Sequence, residues 1–129
     1  MNTPKLSSLS EFARAYVTCA LWTFDEDAPS GDYEQSGRAD ELTAQIDTTS
    51  LGQMVEDCRR FCEVNAELLA RAGDDSQNGH DFWLSNHHGT GFWDRGYAAE
   101  VGKKLTKAAH AFGETSLYRG DDGRIYVSP

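Results

Sequence analysis

A chain of 129 residues with a net charge of −9 has the size of one domain, which can bury roughly two thirds of its unfolded surface, and its charge disfavours phosphate backbones as partners. No apolar run approaches the ~18 residues that span a bilayer, and the first ten residues lack the basic start and apolar stretch of a secretory signal, so a cytoplasmic protein with no membrane partner is expected. Cys19, Cys58 and Cys62 are odd in number and form no Cys-x-x-Cys pair, which excludes a disulfide framework and a zinc ribbon and fits reduced thiols in a core.

Along the chain, Ser8-Leu9-Ser10-Glu11 reads as a capping box for a helix over 9–23. Leu9, Phe12, Ala13, Tyr16, Val17, Ala20, Leu21 and Phe24 recur on one face of it. Pro29, Gly31 and Gly37 stand among acids and serines, so 25–37 reads as an acidic mobile loop, followed by a short helix over 38–46. Asp47, Thr48, Thr49 and Ser50 supply caps for a long helix over 51–72, with Gly73 as its stop. Its inward stripe is Leu51, Met54, Val55, Cys58, Phe61, Cys62, Asn65, Leu68 and Leu69.

The next stretch, 74–79, reads as a polar turn. Segments 81–85 and 91–95 then alternate like two short strands of a hairpin. Helical spacing returns over 97–112, with Val101, Leu105, Ala108, Ala109 and Phe112 inward and Lys103, Lys104 and Lys107 outward. A second hairpin pairs 115–119 with 124–128 through Gly120-Asp121-Asp122-Gly123, the loop being of two or four residues. The expected fold is therefore α+β: one domain over 1–129, an antiparallel four-stranded sheet of two hairpins packed against about three helices in the order α(α)αββαββ.

Charge is concentrated. Asp25, Glu26, Asp27, Asp32, Glu34, Asp40, Glu41, Asp47, Glu56 and Asp57 face a single cation, Arg38, within 25–57. Such a lobe attracts basic partners over about a Debye length, ~10 Å, or simply keeps a solvated segment soluble.

The sharpest chemical cluster is His80, Asp81, His87, His88 and Asp94, imidazoles and carboxylates that suit zinc or manganese. Their spacing matches no defined metal motif, and the pleat of a strand sends neighbours to opposite faces. Gly89-Thr90-Gly91 lacks the lysine and following helix of a phosphate loop. There is no Gly-x-Ser-x-Gly, and the cysteines lie on core-facing stripes, so no complete catalytic set emerges. Trp83, Trp93, Tyr118 and Tyr126, with Arg95, Arg119 and Arg124 nearby, would either stack single-stranded bases on a sheet face or pack beneath the helices.

The run His80-Asp81-Phe82-Trp83-Leu84, a Gly/His turn, then Gly91-Phe92-Trp93-Asp94-Arg95 resembles the signature of a family of small tailed-phage and prophage proteins. The likeness covers 80–126, including Val101-Gly102, Leu105-Thr106 and Gly120-Asp121-Asp122-Gly123, and extends loosely to 16–22 and 54–58. The turn here is one residue shorter than the family's and has no Arg. The resemblance implies a phage or prophage accessory protein in a bacterial cytoplasm and brings no activity with it. Together with the charge, it leads to the expectation of a non-enzymatic interaction factor. Asp25, Glu26, Asp27, Asp32, Glu34, Asp40 and Glu41 would meet a basic host or phage protein, with inhibition of a nucleic-acid-handling or defence protein as one outcome. A metal-binding module or metal-dependent enzyme, and a single-strand binder, are the alternatives.

Overall fold

A 3-10 turn (Leu6–Ser8) leads into α1 (Glu11–Phe24), where Ser10 stands in extended backbone and its hydroxyl accepts the Ala13 amide at 3.2 Å. The cap is thus Ser10 rather than Ser8, and it satisfies one of the free amides that every helix start exposes. The structure, a computed structural model, describes residues 6–25, 37–71, 74–88, 99–112 and 116–128. Helix α2 (Arg38–Thr43) is short, and α3 (Thr48–Val64) starts where the Asp47 carboxylate accepts the Ser50 amide at 3.1 Å. The long helix expected over 51–72 breaks at Asn65. Both the backbone and side-chain amides of Asn65 donate to the Phe61 carbonyl at 3.0 Å, a local bond that competes with helix continuation, and α4 (Ala66–Ala70) resumes after it.

Helix α5 (Asp75–His88) occupies the stretch read as a turn and a strand. The Asp74 carboxylate accepts the Gln77 amide at 2.8 Å as its cap. Asn78, Gly79, Phe82 and Trp83 are buried at helical spacing. Five residues of alternation cannot separate a strand from one face of a buried helix, and Asn78 and Gly79, which look like turn formers, serve as packing residues. The Asn78 amide donates to the Leu69 carbonyl in the last turn of α4 at 3.2 Å. This corrects the expected four-stranded sheet of two hairpins: 81–85 is helical, and 91–95 lies outside the described residues.

Helix α6 (Ala99–His110) buries Val101, Leu105 and Ala109 and exposes Lys103, Lys104 and Lys107. Strands β1 (Ser116–Arg119) and β2 (Ile125–Ser128) then form the one sheet among the described residues, antiparallel and two-stranded, with Arg119 opposite Ile125. Gly120 donates to the Arg124 carbonyl at 2.8 Å and Gly123 to the Gly120 carbonyl at 3.0 Å. The loop between them is therefore three residues, and Gly123, at φ 82°, takes the left-handed position that a turn with a glycine bulge requires. On its other edge β2 is held by the α2–α3 connection: Asp47 donates to Ile125 at 2.8 Å, Ile125 to Gln45 at 3.0 Å, and the Val127 amide to the Ser50 hydroxyl at 3.2 Å.

The core centres on α5. The Phe82 and Phe61 rings stack at 4.0 Å, with Phe12, Tyr16 and Phe112 around them. Trp83 is fully buried, meets Tyr16 edge-on at 5.4 Å, and donates its indole N–H to the Thr23 hydroxyl at 2.9 Å. That bond removes the cost of a buried donor. Helices α1 and α5 share the most extensive contact among the described elements, and they cross at Gly79. A Cβ there would lie 2.1 Å from the Phe12 carbonyl oxygen.

Gly79→Ala should therefore destabilise the protein by about 2 kcal/mol through overpacking, against an intrinsic helix preference that favours Ala by ~1 kcal/mol. Urea unfolding measures it, and a midpoint equal to or above the parent's would refute the close crossing.

Candidate functional site

The acidic lobe is anchored where α1 ends and α2 begins. Arg38 Nε donates to Asp25 Oδ2 at 2.7 Å and Nη2 to Oδ1 at 3.1 Å, a bidentate, charge-assisted fork. The Asp25 side chain is only 4% exposed, so this acid is turned into the protein, and the lone cation of 25–57 makes its shortest ion pair with it. Asp40 and Glu41 are exposed in the first turn of α2, where the helix dipole favours negative charge; Arg38 Nη1 lies 3.8 Å from Glu41. Glu26, Asp27, Asp32 and Glu34 lie outside the described residues.

The histidine cluster sits on a helix rather than a hairpin. His80 and Asp81 are adjacent on α5, with the imidazole partly exposed and the Asp81 carboxylate fully buried. His80 Nδ1 is 3.6 Å from Asp81 Oδ1, longer than a hydrogen bond. His87 and His88 end the same helix, with side chains outside the described part, and Asp94 also lies outside it. Among the described residues no group of three or more His, Cys, Asp and Glu side chains is placed to hold a metal ion. Burial pushes the Cys58 thiol well up and the Cys62 thiol up to about 11, which disfavours the nucleophilic thiolate.

The proposed aromatic face divides in the same way. Trp83 belongs to the core, and Trp93 and Arg95 lie outside the described residues. Tyr118 and Tyr126 stack on the hairpin at 5.6 Å, but the arginines beside them are tied to protein. Arg119 donates to Gln45 Oε1 at 3.0 Å and the Gly123 carbonyl at 2.6 Å, and Arg124 to the Ile46 carbonyl at 3.3 Å. The Tyr126 hydroxyl donates to Asp122 Oδ2 at 2.5 Å. That bond raises the phenol to about 12 and holds the Asp122 carboxyl below its usual range.

Between α3, the end of α6 and β2 runs a groove of about 730 Å³ lined by Gln53, Asp57, Arg60, Val64, Phe112 and Val127, among others. A pocket of this volume is of ligand-binding size. Sequence reading missed it because its residues come from three distant stretches, none with a motif, and Asp57 counted only as one acid of a run.

Two outcomes test this geometry. Arg38→Met should cost about 2 kcal/mol, because it removes the guanidinium that faces a buried carboxylate, and adding Asp25→Asn should recover most of the loss; a single mutant as stable as the parent would contradict the fork. In an ultraviolet titration, Asp122→Asn should move one tyrosine from about 12 down toward the ordinary value of 10.0, since the neutral amide no longer opposes the phenolate. The Asp122 contribution itself holds above the unfolded carboxyl's pKa and disappears as pH falls through the lower folded value. Among known proteins the chain matches no family model, no curated protein and no solved structure.

Proposed function

We propose that this protein is a non-enzymatic interaction factor of phage or prophage origin that binds a basic protein in its bacterial host through the acidic surface at the start of α2. The observation that carries the reading is the Asp25–Arg38 fork. It turns the one cation of the acidic stretch inward, so that among the described residues Asp40 has no ion pair and Glu41 has only Arg38 Nη1 at 3.8 Å, and the sequence adds Glu26, Asp27, Asp32 and Glu34 to the same stretch. An uncompensated field of this kind raises encounter rates with basic surfaces and rejects acidic ones. Proteins that handle nucleic acid carry such basic surfaces, and occupying one would block its use.

Affinity capture from host lysate should recover a specific basic protein, released as salt shortens the screening length. Neutralising Asp40 and Glu41 together with Glu26 and Asp27 should weaken that complex by roughly tenfold or more, equivalent to ~1.4 kcal/mol. Recovery of nothing specific, or a complex indifferent to salt and to these substitutions, would overturn the proposal.

A further inference from the structure

We propose that the groove between α3, α6 and β2 is a subsite for one basic side chain, a lysine or arginine carried on an extended peptide segment of a partner protein. This goes beyond the acidic surface at α2 and stands on the groove alone.

The argument begins with how α3 distributes its charges. Glu56 and Arg59, three residues apart, pair at 2.7 Å, and Arg59 reaches Glu63 one turn on at 2.6 Å. Asp57 and Arg60 have the same spacing, yet no ion pair joins them. Arg60 instead lies over the Phe112 ring, 5.8 Å from its centroid, a cation–π contact. Among the described residues Asp57 has one hydrogen bond, from the neutral Gln53 amide at 2.8 Å. The groove wall therefore holds a partly buried carboxylate with one oxygen that no described residue bonds, while the Arg60 guanidinium, which also lines the groove, is held over Phe112 rather than on that oxygen.

The remaining lining fits the stem of a basic side chain. Phe112, Val127 and the 78% exposed Val64 offer apolar surface for methylene groups, while the charged head would reach the carboxylate. A single carboxylate with an amide beside it suits an ammonium or guanidinium better than a hard divalent ion, which takes six or more oxygens. The net charge of −9 favours any approaching cation. Desolvation raises the Asp57 carboxyl, even though the Gln53 hydrogen bond and the Arg60 charge act to lower it, and a bound cation would offset that desolvation.

The full chain, labelled with nitrogen-15, is titrated with capped tripeptides bearing a central arginine, lysine, norleucine or glutamate. Saturable shifts of the Gln53, Asp57, Arg60 and Val127 amides with arginine and lysine, absent with norleucine and glutamate, are expected. Asp57→Asn, which keeps the bond to Gln53 and should leave the unfolding midpoint unchanged or higher, should weaken binding at least about tenfold. No saturable shift at the groove overturns the proposal, as does equal binding of norleucine or undiminished binding by Asp57→Asn. Peptide binding that survives neutralisation of Asp40 and Glu41 supports the groove whatever becomes of the acidic-surface reading.

Discussion

The close crossing of α1 and α5 is the constraint on which the other contacts depend. Because position 79 has no side chain, the two backbones approach until the Phe12 carbonyl faces Gly79. Phe82 and Trp83, on the same side of α5, then reach α1. Phe82 lands between Phe12 and Phe61, which draws α3 onto the pair, and Phe112 closes the cluster at the end of α6. Rings at these offsets and tilts add specific geometry to their area burial, so a shift of one helix disturbs several ring pairs together.

Around that centre, polar side chains fasten the ends of elements. Asn78 satisfies a carbonyl at the end of α4, Thr23 receives the indole of Trp83, and Ser50 holds the edge of β2. Each bond links residues far apart in the chain or closes a helix terminus that would otherwise leave a group unpaired. The hairpin is attached by the same means: its arginines donate to Gln45 and Ile46, and these residues connect α2 to α3. A two-stranded hairpin is marginal alone, and here it is held by the chain segment that also caps α3.

Charge is partitioned by these contacts into used and unused. Arg38 is committed to Asp25, and Arg59 to Glu56 and Glu63. Lys104 is paired with Glu100, and Arg60 rests on Phe112. Among the described residues Asp40 on α2 and Asp57 in the groove are two of the acids that no ion pair engages, Asp57 feeling the Arg60 charge only at longer range. Net charge makes the protein acidic as a whole, while the placement of a few arginines decides where that acidity is presented.

Much was legible from residues alone. Strong 3.6-residue periodicity and short-range caps fixed α1 and α6 nearly to their ends and α3 near its start, and Asp-Gly chemistry located the second hairpin, because both signals are local. The exact Ser10 cap and the break at Asn65 were not legible, since several side chains compete for the same nearby backbone groups. Nor was α5: Asn78 and Gly79 read as turn formers, and only the surface of α1 makes a glycine and a buried amide the right residues for that helix. The histidines consequently changed neighbours, Asp81 went inside, and Asp25 turned from a surface acid into the partner of Arg38. Sequence by itself determined the acidity, the principal helices and the C-terminal hairpin, which depend on composition and on neighbours a few residues away. Tertiary structure alone decided the path of residues 74–88, the commitment of each arginine and the existence of the groove, because these depend on contacts between residues tens of positions apart, where no local pattern records which pair will meet.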